Sequence, residues 1–400
     1  MTGRIWRHGL RHALASLIVL VGLGAGGTWA AQLLGKSPQA SGQLADAETR
    51  GLSLVESIPF PNPPPTALIS EIKCDPKGGK IYLVQSGSPP FLMGSDGLSR
   101  YPVQRLSTGS RSTVAYPVPA LDHYRGTIRI GFDVSVDGDL YALLEAVDAD
   151  SGTGPWFFVA KYHEDGSLDS YFKLEEQPER LQPARLAVFP RGGVLVTGTL
   201  KEGGSLRPFI AVFDKAGKFV TYVNGSLQTA FPAPSPKVSA EAHGRSAEDE
   251  KLKSGDRAIA IASGSLMAGA SDGNIYLLCG TDHPRMYAVS PSGEVVREFD
   301  VRVPAPGLTA TTMATTGDGS LFISFGIVQG ASVAPASSDA TNALISVINP
   351  QTGEVSAVYR LPAQADPFST AACAVSSNNF LFLGVTADYQ HQQVARYAPQ

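Results

Sequence analysis

Three histidines sit in short polar phrases with an acidic residue close by. They are His123 in "DHYRG", His283 in "TDHPR" and His391 in "DYQHQQ", with Asp122, Asp282 and Asp388 as their neighbours. Gathered in space, such imidazoles and carboxylates hold a divalent cation or move protons. Tyr124, Trp156, Tyr389, Arg125, Arg207 and Arg285 add aromatic and cationic groups that would grip a ligand. The spacing matches no dedicated metal motif of the HxH or HExxH kind, and solvated loops collect the same residue types without forming a site. Asp148 and Asp150 form a DxD fragment suited to Ca²⁺, but the third carboxylate and the closing Glu of a dedicated loop are missing. A divalent cation is therefore the one cofactor left open. There is no GxSxG elbow, phosphate loop or dinucleotide fingerprint, and none of the three Cys stands beside a His in sequence.

The elements that must position these residues follow from composition. Of 400 residues, 43% are hydrophobic and only 17% charged, while 42 Gly and 29 Pro punctuate the chain. Turn residues at that density, without long charge-laced helical stretches, predict an all-β fold. The formal charge of -4 provides no basic field, which excludes nucleic acid as a partner.

From residue 60 onward one phrase repeats. "FDVSVDGDLYALL" from Phe132 and "FFVAKYHEDGSLDSYFKL" from Phe157 spell four short strands, with tight Gly turns between the first and second and between the third and fourth. The second strands recur around Ile81, Leu140, Leu195, Ile275, Leu321 and Leu381. Repetition of this kind predicts a six-bladed β-propeller of four-stranded antiparallel blades over residues 50–400. The connections between second and third strands are long in several blades and share one face with the blade-to-blade connections. That face carries the candidate site residues named above.

These phrases resemble the six-bladed propeller group that includes NHL-repeat and TolB-like proteins. Gluconolactonase-like relatives open a divalent site at the propeller mouth with a Glu-Gly-Pro phrase ahead of the first inner strand. The comparable stretch here, "LISEIKCD", has Glu71 alone, so their lactonase chemistry is not implied.

The last unit supplies three strands, ending on "QVARYA". Its fourth strand is expected from Gly51 to Ser57, pairing with Val394 to Tyr397 so that no edge is left open. Cys74 and Cys373 fall on the innermost strands of the first and sixth blades, where they form a ring-locking disulfide or serve as small core hydrophobes. Phe231 to Asp256 interrupts the pattern with a Pro-rich and then charged surface insertion, either a tolerated excursion or a gate over the channel.

Residues 1–35 are set aside as a targeting segment, followed by a linker over 36–49. Arg4, Arg7 and Arg11 precede an uncharged run from Ala13 to Gly35, which reads as a signal peptide cleaved after Ala30 or as an uncleaved membrane anchor. Both readings send the body out of the cytoplasm, to the periplasm or beyond, and touch the membrane only through this segment. The expected function is an exported, monomeric binding or interaction module for a protein or small-molecule ligand. The alternative is a metal-dependent hydrolase or lyase with its site at the channel mouth.

Overall fold

The computed structural model describes residues 49–59, 68–75, 80–86, 101–107, 113–175, 180–202, 205–223, 266–280, 284–305, 308–326, 344–362, 372–385 and 392–400. The insertion at 231–256 and the targeting segment lie outside the described residues. Strand β1 is Thr49–Pro59. Four antiparallel sheets follow in chain order. The first holds β2 (Leu68–Cys74), β3 (Lys80–Ser86), β4 (Val103–Ser107) and β5 (Thr113–Tyr116); the second, β6 (Tyr124–Val134), β7 (Leu140–Asp148), β8 (Trp156–Tyr162) and β9 (Leu168–Lys173). The third holds β10 (Arg180–Val188), β11 (Val194–Glu202), β12 (Ser205–Phe213) and β13 (Phe219–Tyr222); the fourth, β14 (Leu266–Gly269), β15 (Ile275–Cys279), β16 (Arg285–Val289) and β17 (Val295–Asp300). The remaining strands are β18 (Thr309–Thr315), β19 (Leu321–Gly326), β20 (Leu344–Ile348), β21 (Val355–Arg360), β22 (Ala372–Ser376), β23 (Asn379–Val385) and β24 (Gln392–Pro399). They join β1 in one eight-stranded sheet of order β18-β19-β20-β21-β1-β24-β23-β22.

The fold is an all-β propeller. The second strands are its most apolar segments: β15 and β19 are buried throughout, because sheets pack on both of their faces. The fourth strands lie outermost, and β17 alternates half-buried and exposed residues as a strand with one wet face must. Among the described residues the core divides into six apolar clusters, each formed between consecutive groups of strands. The last of these packs Ile72, Ile81 and Leu83 against Cys373, Leu381 and Val394, returning from the end of the chain to its beginning. The first strands β2, β6, β10, β14, β18 and β22 touch in that order, and β22 touches β2.

The sequence predicts separate four-stranded blades, whereas hydrogen bonding fuses the last seven strands with β1. The fusion rests on Thr49, Arg50 and Gly51, which pair in parallel with Val358, Tyr359 and Arg360 of β21. Beyond them β1 runs antiparallel to β24, from Leu52 opposite Pro399 to Pro59 opposite Gln393. The physical reason lies in how the other outer strands are covered. A turn glycine of the next sheet presses on each: a Cβ at Gly166 would lie 2.3 Å from the Ala115 carbonyl oxygen, and one at Gly217 would lie 2.3 Å from that of Lys173. The last unit has no turn between its third and fourth strands, since its fourth strand comes from the other end of the chain. Residues 49–51 cover β21 instead.

Gly217 combines that contact with φ +81°, whereas Gly273 has φ +92° and nothing within 4 Å of an added Cβ. Gly273→Ala therefore carries only the left-handed backbone penalty, about 1–2 kcal/mol. Gly217→Ala must also displace backbone, and urea unfolding should register a loss at least about 1–3 kcal/mol larger. Equal losses would remove the close approach as a cause.

Candidate functional site

Chain topology divides the propeller into two unlike faces. Turns joining first to second and third to fourth strands lie on one, called the turn face. Each described turn closes on its own backbone: Gly138 N–H donates to Ser135 O at 2.9 Å, Gly217 to Asp214 O at 3.0 Å and Gly319 to Thr316 O at 2.9 Å. Second-to-third and sheet-to-sheet connections lie on the opposite, loop face.

On the loop face the second sheet brings one group of predicted residues together. Tyr124 begins β6 opposite Asp148 at the end of β7, and Trp156 begins β8 opposite Ala146. His123 is exposed with φ 65°, and its carbonyl accepts the Ala149 N–H at 2.9 Å, tying the incoming connection to the β7–β8 loop. The Tyr124 ring packs edge-on against Phe158 at 4.7 Å, and the Lys173 ammonium stands 3.3 Å over the half-buried Trp156 ring. Arg125 is exposed beside the same loop: a Cβ at Gly152 would lie 3.6 Å from its guanidinium.

The DxD fragment is put to local use. Asp148 Oδ1 accepts the Ser151 N–H at 2.7 Å, the Ser151 hydroxyl at 2.8 Å and the Asp150 N–H at 3.1 Å. Those bonds, with Ser151 foremost, hold its carboxyl below the usual range. An oxygen receiving three protein donors is committed to shaping the loop, and Asp150 contributes its backbone to the same turn. Among the described residues no group of three or more His, Cys, Asp or Glu is arranged to hold a metal ion.

Of the other predicted residues, only the side chain of Arg285 is described, and it belongs to a different sheet. Arg285, opening β16 in the fourth sheet, gives its Nε–H to Asp300 at 2.8 Å on the adjacent strand β17. Arg207 lies opposite Leu200 in β12, and only its backbone is described. His283, Asp388, Tyr389 and His391 lie outside the described residues.

A second constellation, which the search for loop chemistry passes over, lies inside the ring of first strands. Lys73 Nζ on β2 bonds Asp133 Oδ1 on β6 at 3.0 Å, and Asp133 Oδ2 accepts the Val188 N–H of β10 at 3.0 Å. A Cβ at Gly269 would meet the Val188 carbonyl oxygen at 2.4 Å, so β14 closes directly on β10. Thr315 donates to Gly269 O at 2.6 Å, linking β18 to β14, and Thr312 donates to Ala372 O at 3.1 Å, linking β18 to β22. Cys74 and Cys373 complete the circuit with a disulfide between β2 and β22, their Cα atoms 5.6 Å apart. Of the two readings open for these cysteines, the structure has the bonded one; Cys279 is a buried thiol outside that bond.

Burial opposes the charge on Lys73 most strongly. Attraction to Asp133 and Glu71 and the hydrogen bond to Asp133 together outweigh it, so the ammonium is held above its ordinary range despite repulsion from Arg185. An ammonium kept charged and paired is a poor nucleophile. Next to this pair lies a cavity of about 30 Å³, lined by Met267, Met313 and Thr315 among others, with space for water rather than for a substrate. The circuit is a structural clasp.

Since the folded pKa of Lys73 lies above the unfolded one, its contribution is fully present below the unfolded value of 10.5 and is lost as pH rises through the folded value. Asp133→Asn leaves the ammonium without its counter-charge and should cost about 1–3 kcal/mol near neutrality. The gap between wild type and variant should narrow above pH 10.5, measured by urea unfolding across that range. A gap that stays constant would count against an ion pair.

No protein-family model matches the chain, and no curated protein matches it. Among solved structures it is similar to a protein of unknown function from Dyadobacter fermentans, with 11% identity, a TM-score of 0.50, and coverage of 88% of this chain and 100% of that one. An α-L-arabinanase from Penicillium chrysogenum complexed with arabinobiose aligns with 9% identity and a TM-score of 0.47, over 86% of this chain and 98% of that one. A calcium-binding protein, regucalcin, from Agrobacterium tumefaciens aligns with 11% identity and a TM-score of 0.44, over 86% and 94%. Likeness at such identities is likeness of fold alone.

Proposed function

We propose that the chain is an exported six-bladed propeller of the NHL-repeat and TolB-like kind that works as a binding module, taking its ligand on the loop face. Six blades follow from reading the eight-stranded sheet as two, each with its own first strand and its own apolar cluster. The observation that carries the functional reading is the inequality of the two faces. One is reduced to short self-bonded turns, while the other keeps His123, Arg125 and the Trp156–Lys173 pair at the ends of rigid strands. Irregular connections on a rigid scaffold are where binding residues concentrate. Among the described residues, the cavity beside the interior clasp has space for water rather than for a small molecule.

A thermal-shift screen of the purified body against soluble oligosaccharides, peptides and divalent cations tests this reading. A ligand at one hundred times its Kd adds about 2.7 kcal/mol. That shift should vanish in the Arg125→Ala/Trp156→Ala variant and persist in Asp214→Ala on the turn face. Loss in Asp214→Ala with persistence in the double variant would place the site on the wrong face.

A further inference from the structure

The first strands run from the loop face to the turn face, and on three of them exposure falls along the way. β6 is half-buried or exposed over residues 124–126 and buried over 132–134, and β18 passes from half-buried over 309–312 to buried at Thr315. β10 leaves Gln182 and Arg185 exposed but is buried over 186–188. Among the described residues the inside of the ring is therefore a funnel that opens on the loop face, with the Lys73–Asp133 pair at its floor. Its charge is uneven. β14, β18 and β22 carry no charged residue, whereas β2, β6 and β10 set Lys73, Arg129 and Arg185 against Glu71 and Asp133. This local excess of cations belongs to a chain whose formal charge is -4, and apolar walls focus its field.

Four of these five groups are committed to one another or to the backbone. Asp133 is divided between Lys73 and the Val188 N–H. Arg129 is buried and gives an N–H to Tyr101 O at 2.6 Å. Glu71 attracts both Lys73 and Arg129. Arg185 differs: it is exposed, and among the described residues no hydrogen bond or ion pair engages it. It precedes Val188 by three residues, so its backbone stands about 10 Å nearer the loop face than the clasp. Its charge still acts on Lys73, which lies two first strands away, so the guanidinium is directed into the ring. A guanidinium presents two parallel N–H groups that match two oxygens of a carboxylate or a phosphate.

We propose that the funnel receives a carboxylate or phosphate group of a ligand arriving on the loop face, and that Arg185 seats that group above the clasp. The inference rests on the loop-face reading and adds the chemical class of what binds there.

Inorganic phosphate and succinate, one probe for each source of the oxyanion, are titrated separately into the full chain at constant ionic strength held with sodium chloride, and melting is followed. At least one probe should raise the melting temperature saturably. Its apparent affinity should be at least about tenfold weaker in Arg185→Gln, intermediate in Arg185→Lys, which keeps the charge without the fork, and unchanged in Arg191→Gln on the turn face. Because the Arg185 side chain is exposed, the melting temperature of Arg185→Gln without probe should match wild type; Arg185→Lys carries the test if it does not. No saturable rise with either probe, or equal affinity in Arg185→Gln, overturns the inference. A rise kept in Arg185→Gln but lost in Arg125→Ala/Trp156→Ala moves the anion to the second sheet, so the inference fails while the loop-face reading stands. A rise lost only in Arg191→Gln overturns both.

Discussion

Truncation through Pro59 is expected to lower the melting temperature sharply, whereas truncation through Glu48 leaves it unchanged. Thr49 is the first paired residue among those described, and Leu52, only 1% exposed, packs with Tyr359, Phe380 and Tyr397. Losing that side chain costs about 2–5 kcal/mol, and the backbone partners of β24 and β21 lose their ladder as well. The burden falls on Leu52 because its neighbours contribute little: Leu54 and Val55 are 53% and 51% exposed, not buried as strand alternation alone would allow. A bulge between Leu54 and Glu56 leaves Val55 without a partner in the β24 register. Leu52→Ala should therefore reproduce much of the loss in a scanning calorimeter, while Leu54→Ala stays within about 0.5 kcal/mol. Equal melting temperatures for the two truncations would show that β1 does not hold the ring.

The second large effect is expected at the inner seam. Cys74 and Cys373 are 299 residues apart in sequence, so their bond removes the entropy of a very long loop from the unfolded chain. Replacing both with Ala should cost about 2–5 kcal/mol, toward the upper end for a loop of this length. The seam then has two closures, the disulfide inside and β1 outside. Either one keeps the first and last sheets within reach while the other forms, as a tether raises effective concentration. Loss of both should exceed the sum of the separate losses, a coupling readable from a double-mutant cycle in urea. Additive losses would mean that the two closures act independently.

The repeated four-strand phrase was legible because hydrophobic runs, Gly turns and their order are local properties. So was the pairing of the two chain ends, since an unmatched third strand and a spare strand at the other end call for each other. The fusion of two sheets was not legible, because it depends on three residues filling a gap that exists only once the ring is assembled. The interior clasp had a faint signal: "EIK" and "GFD" place charges within otherwise apolar first strands, where a buried charge demands a partner. Only the closed ring identifies that partner as Lys73 for Asp133. On the loop face, residue type singled out Asp148 but not its bonds to Ser151 and Asp150, because hydrogen bonds to its own loop compete with metal ligation and sequence alone cannot rank them.

The double pairing of β1 also decides how the propeller bears mechanical load. A pull on the chain ahead of Thr49 acts along the strand axis, and β1 lies between β21 and β24 with paired residues on both sides. The ladder is therefore loaded in shear, with its bonds sharing the force, rather than peeled one at a time. Should β1 slip, the covalent link between Cys74 and Cys373 still joins the first and last sheets. The ring would then be held shut at its centre while its rim gives way, so stretching should release a short length of chain before any sheet unravels.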